Sequence, residues 1–174
     1  PFKTNAFEIV VSCDMLEHTK NEERARVIQE LVRVASQKII IACPCNRHAV
    51  NCDRKVALWY NFIHRKYPDW LLEHLKSEMP SEEQISQMLE ERHLDFHIIN
   101  NENNTIHLIV VVLLSIPPIS MISAKLVKWF STKLGYITKR LNFGTSYRKI
   151  FVISKKGITY DRQSYKLKRN NSNL

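Results

Sequence analysis

The opening of the chain alternates compact apolar runs with a periodic segment, a pattern that predicts strand, helix, strand. Phe7 to Ser12 is a run of β-formers that ends in Cys13, Asp14, Glu17 and His18, as a buried strand does when its tip carries polar groups. Thr19, with Glu22 three residues on, has the form of a capping box. Ala25, Val27, Ile28, Leu31, Val32 and Ala35 then recur at helical spacing over about 20–35. Lys38 to Cys43 is a continuous apolar run, expected of a strand covered on both faces. Strand, helix and strand in such close succession imply a right-handed parallel crossover.

Residues 46–79 form an excursion that carries Trp59, Tyr60, Phe62, Tyr67 and Trp70. Ser81 facing Gln84 opens a second capped helix, with Ile85, Met88 and Leu89 on one side. Leu94 to Ile99 reads as a third strand and Tyr147 to Ile153 as a last one. Residues 104–141 read as two apolar helices broken at Pro117 and Pro118. The Asn-rich basic stretch 156–174 is expected to fray. The expected division is therefore 1–155 as a structured unit, with 46–79 and 104–141 as insertions, and 156–174 as a tail.

A length of 174 residues and 44% hydrophobic content suffice for one core. The net charge of +9 is lopsided. Residues 1–119 hold 13 Lys/Arg against 16 Asp/Glu, whereas residues 120–174 hold 13 against one. A phosphate-bearing partner, such as an anionic membrane surface, nucleic acid or a phosphorylated glycan, would meet the last third, with a solvated basic surface as the plain alternative. Lys125, Lys128, Lys133, Lys139 and Arg140 are interleaved there with Trp129, Phe130 and several aliphatic residues, the pattern of a helix in a membrane interface. Packing of the same residues on the sheet, with the lysines in water, is the competing reading. Nucleic acid is not the expected partner, because no recognisable RNA-binding motif accompanies the aromatic residues.

Only three glycines are present, Gly135, Gly144 and Gly157, which excludes a glycine-rich phosphate loop within this sequence. Four cysteines, Cys13, Cys43, Cys45 and Cys52, are too few and too uneven for a secreted disulfide framework, so a reducing, cytoplasmic setting is expected, with peripheral membrane contact as an addition. No apolar stretch reaches the roughly 18 to 20 residues of a membrane span.

The segment Phe7–Pro44, with Asp14-Met15-Leu16-Glu17-His18 after a hydrophobic strand, resembles the fourth strand, following helix and fifth strand of class I S-adenosylmethionine-dependent methyltransferases. The resemblance implies an α/β, Rossmann-like partial sheet in the order 4-5-7-6 of that family, with the last strand antiparallel and slotted between the fifth and sixth. The family's first three strands and their cofactor loop have no counterpart in this sequence, so the chain is expected to be the carboxyl-terminal half of such an enzyme. The activity implied is methyl transfer from S-adenosylmethionine to an acceptor that is a small molecule or is linked to a lipid or glycan. A non-catalytic module that binds membrane surfaces through its basic hairpin is the alternative.

By the same resemblance, Ser12, Cys13 and Asp14 line the methionine side of the cofactor. His18 is the candidate base, imidazole being the side-chain type that most often serves in general acid-base catalysis, and Glu17 is its catalytic companion. The simpler alternative for Glu17 is an interaction with the following helix N-terminus. Asp14-Met15-Leu16-Glu17-His18 also resembles the E..EH pattern by which ubiquinone-pathway and small-RNA 2′-O-methyltransferases hold a divalent ion, which would suit Mg²⁺, although no metal ligand is assigned on sequence grounds. Cys43, Cys45, His48 and Cys52 form a weaker possible zinc set, since structural zinc sites space paired cysteines further apart.

Overall fold

The computed structural model describes residues 2–116 and 144–155. Their four strands, β1 (Phe7–Cys13), β2 (Ala35–Pro44), β3 (Asp95–Asn103) and β4 (Ser146–Ser154), form one sheet in the order β1-β2-β4-β3. β1 and β2 run parallel, while β4 runs antiparallel to both β2 and β3. This is the partial Rossmann-like sheet that the sequence resemblance implies, with the final strand inserted between its neighbours. The connection from β1 to β2 is the helix α1 (Asn21–Val34).

Alternation along the strands decides which face is packed. Ile39, Ile41 and Cys43 of β2 and Phe151 and Ile153 of β4 are buried, and they close on Ile28 of α1 and on Ile85 and Leu89 of α4 (Glu82–Glu90). Each such side chain contributes about 1.5–3 kcal/mol on burial, so this layer is the main store of stability. On the other face Ile9 and Val11 remain more than half exposed.

α4 begins as its sequence predicts: Ser81 and Gln84 form the reciprocal capping box. The cap predicted for α1 does not form. Its N-cap is Lys20, with no side-chain cap, because the Thr19 hydroxyl donates instead to the carbonyl of Met15 at 2.9 Å and closes the short 3-10 turn Leu16–His18.

The excursion after β2 is a helical layer and not a loop. It holds α2 (Asn46–Phe62) and α3 (Asp69–Lys76), which pack together through Val56, Ala57 and Leu71, with Tyr60, Tyr67 and Trp70 around them. α5 (Asn104–Leu114) follows β3 directly, capped by the Asn103 side chain, which accepts from the amides of Thr105 and Ile106. It rests on α2 through Leu108 and Val111. The second apolar helix expected before residue 141, the basic amphipathic stretch 124–141 and the tail 156–174 lie outside the described residues.

Candidate functional site

A cleft of about 380 Å³ opens beyond the carboxyl ends of β1 and β2. One wall is the turn after β1, with Asp14, Glu17 and His18, and the other is the helical layer, with Tyr60, Trp70 and His74. Tyr147 and Arg148 of β4, His107, Val111 and Leu114 of α5, and Pro44 and Ser115 complete the lining. Ligands of open α/β sheets bind in this position, outside the carboxyl ends of the strands.

The turn is built so that its consecutive side chains diverge. Asp14 takes a positive φ of 50°, tolerable for Asp, and its amide extends the sheet ladder to the carbonyl of Ala42. Leu16 then enters the core and Glu17 is sunk beside it, 1% exposed. Arg24 of α1 fixes this geometry: its Nε donates to the carbonyls of Leu16 and Thr19, and its Nη2 donates to the carbonyl of Glu78 beyond α3. One buried guanidinium thereby joins the β1 tip to the helical layer.

Neither carboxylate oxygen of Glu17 has a hydrogen-bond partner. Burial pushes the carboxyl above its ordinary range, against the opposing pull of its own backbone amide, and the nearby Asp14 adds to the rise. His18 is a third exposed, with Nδ1 at 2.7 Å from Glu73 Oε2. His74 is nearly buried, with Nδ1 at 3.0 Å from Asp53 Oδ2, and the Tyr147 hydroxyl donates to Asp53 Oδ1 at 2.9 Å. The two imidazoles face each other with ring centroids 5.3 Å apart, and His107 stacks on Tyr147 at 3.7 Å. One ligand-capable atom each from Glu17, His18 and His74 lies within 4.8 Å of the others, so these three residues are the group able to hold a metal ion among the described residues.

The remaining sequence-predicted positions stand around this cleft in different ways. Arg148 Nη1 lies 2.8 Å from the Asp14 carboxylate, and its Nε lies 3.3 Å from Glu102. Burial would lower the Arg148 guanidinium, but Asp14 and Glu102 outweigh it, so its proton is held more tightly than usual. Ser12 is buried with an unpartnered hydroxyl, and Cys13 is exposed; neither lines the cleft. The proposed zinc set does not assemble: Cys43 and Cys45 are buried with their sulfurs 3.6 Å apart, Cys52 faces the carbonyl of Asn104, and His48 is exposed. The aromatic excursion serves two ends, since Tyr60 and Trp70 line the cleft while also packing around Leu71.

Sequence reasoning did not reach His74, Asp53 or Tyr147. A usable signal was present, because Glu73-His74-Leu75 sits in an amphipathic helix whose Leu71 is buried three residues before the imidazole.

No family model and no curated protein matches this chain. Among solved structures it is similar to phosphoethanolamine N-methyltransferase 2 of Haemonchus contortus in complex with phosphomonomethylethanolamine and S-adenosylhomocysteine, at 15% identity and a TM-score of 0.50, over 89% of this chain and 35% of that one. The same enzyme with S-adenosyl-L-methionine gives 16% identity and a TM-score of 0.47 over 89% and 34%. A SAM-dependent methyltransferase from Archaeoglobus fulgidus gives 16% and 0.45 over 88% and 62%. The chain thus spans about a third of the length of the Haemonchus enzyme and less than two thirds of the archaeal one. The fold is that of part of a class I S-adenosylmethionine-dependent methyltransferase, with helices inserted after β2 and β3.

Proposed function

We propose that this chain contributes the acceptor-side wall of an S-adenosylmethionine-dependent methyltransferase. The observation that carries the reading is the cleft itself, which lies beyond the carboxyl ends of two parallel strands in a sheet of the methyltransferase type. The cofactor would run along the tips of β1 and β2, with Ser12, Cys13 and Asp14 toward its methionine side. The acceptor would enter between the β1 turn and the aromatic residues of α2 and α3. Methyl transfer from a sulfonium requires an in-line approach and, where the acceptor must lose a proton, often a base to take it. His18 supplies an imidazole whose orientation is set by Glu73, with its other nitrogen available to accept that proton, and Glu17 stands beside it.

The test is transfer of labelled methyl groups from S-adenosylmethionine by the full-length protein to fractionated small molecules and lipids, together with binding of S-adenosylhomocysteine. Loss of about 10²–10⁴ in turnover is expected for His18→Ala. A folded full-length protein that binds no S-adenosylhomocysteine would sink the reading.

A second reading is favoured by α5, which leaves Ile109, Val110, Leu113 and Leu114 each about half exposed. Such an apolar shelf supports contact with an anionic membrane surface or with a lipid-linked acceptor. Among the described residues no helix is long and apolar enough to cross a membrane. Flotation with anionic liposomes that survives both Leu113→Asp and neutralisation of Lys125, Lys128 and Lys133 would end this reading.

A further inference from the structure

The two imidazoles of the cleft are held with unequal firmness. His18 is set by Glu73, whose side chain is 59% exposed and can exchange its partner for water. His74 is set at 3.0 Å by Asp53, whose side chain is 2% exposed. Asp53 is itself fixed, because the Tyr147 hydroxyl donates to its other oxygen at 2.9 Å. A carboxylate opposite Nδ1 keeps the proton on that nitrogen and leaves a lone pair on Nε2. His74 stands on the helical wall of the cleft, across from the β1 turn, with Trp70 packed edge-on against it at 5.5 Å. Tyr147, Asp53 and His74 thus form a chain that starts in the sheet and ends at the cleft. Glu17 is buried with neither oxygen hydrogen-bonded, and one polar atom each from Glu17, His18 and His74 lies within 4.8 Å of the others. A carboxylate so placed favours positive charge on either ring.

We propose that His74 is a second catalytic imidazole of this cleft, the one that takes the acceptor's proton on Nε2 and hands it to His18 for release to solvent. The inference rests on the methyl-transfer reading. As the proton leaves, its electron pair stays on the acceptor atom, which bonds the methyl carbon while sulfur keeps the electrons of the bond that breaks. The charge gained by His74 then lies between Asp53 and Glu17. The ring centroids of His74 and His18 are 5.3 Å apart, within reach of a proton that crosses directly or over one water. His18 is a third exposed, so it can return the proton to bulk water. A base fixed by a buried partner meets the reacting atoms in one geometry, which is the condition for an efficient transfer.

The test takes the full-length protein with ¹⁵N-labelled histidine and reads the ring nitrogens by NMR with no methyl donor present. A proton on Nδ1 of His74 and none on Nε2 is expected. Asp53→Asn should move the proton to Nε2, because the amide offers a donor to Nδ1, and should leave His18 unchanged. The second arm measures labelled methyl transfer to the small-molecule and lipid fractions. His74→Asn keeps a donor for Asp53 and lacks Nε2, so kcat should fall by about 10²–10⁴, with KM and S-adenosylhomocysteine affinity unmoved. Added imidazole should restore part of the turnover lost in His74→Ala. Absence of S-adenosylhomocysteine binding would sink the methyl-transfer reading and this inference together. A proton on Nε2 of His74 in the folded wild type, or His74→Asn as active as wild type, would overturn this inference alone.

Discussion

The Tyr147 hydroxyl donates to Asp53 Oδ1 at 2.9 Å, so the last strand of the sheet is tied to the second helix through two almost fully buried side chains. Burial and the adjacent carboxylate hold the phenol protonated. Tyr147→Phe keeps the ring and its stack with His107 but leaves Asp53 short of a donor. A hydrogen bond to a charged group is worth about 1.5–3 kcal/mol, and a loss of that size is expected in urea unfolding, with the midpoint shifted and the slope unchanged.

Arg24 should be the most sensitive charged position outside the cleft. It is 1% exposed and donates to backbone carbonyls of Leu16, Thr19 and Glu78, which then need no other partner. Burial lowers its guanidinium from the ordinary value, although the net charge is retained. Arg24→Met removes the donors and should cost about 3 kcal/mol or more. Arg24→Lys, which keeps the charge and loses the fork, should recover only part of this in thermal unfolding.

Acid should weaken the fold through Glu102. Burial raises its carboxyl, but His107 at 2.7 Å and Arg148 outweigh burial, and the group ends below its ordinary value of 4.5. A carboxylate depressed in the folded state stabilises above its unfolded pKa, and that stability fades as pH falls through the folded value. Melting temperature plotted against pH should therefore drop on the acid side of 4.5 more steeply for wild type than for Glu102→Gln. Identical acid limbs would show that Glu102 does not contribute.

The thiols should divide sharply by reactivity. Burial pushes the Cys52 thiol up to about 11, and the contact with Cys45, then burial, raises Cys43 far beyond the ordinary range. Cys13 alone is exposed. Brief alkylation of native protein followed by mass spectrometry should label Cys13 and spare Cys43, Cys45 and Cys52, with all four labelled after unfolding.

The sequence by itself determined what short-range physics determines. The apolar runs at Phe7–Cys13 and around Ile39–Cys43, the helical period between them and the Ser81–Gln84 cap each depend on neighbours a few residues away, and each is present in the structure. The sheet order was legible through the resemblance carried by Phe7–Pro44, with β4 inserted as expected. Where two local options competed, the sequence misled: the Thr19 hydroxyl turned back to Met15, and Lys20 became the helix start. The site was half legible. Asp14, Glu17 and His18 follow a strand and announce themselves, but His74, Asp53 and Tyr147 reach the cleft only because α2 and α3 fold over the strand tips. Glu17 and His74 are close in space only through packing of Leu71, Val56 and the Arg24 strut, interactions between residues distant in the chain. A periodic pattern states which face of a helix is buried, and tertiary packing decides what that face meets.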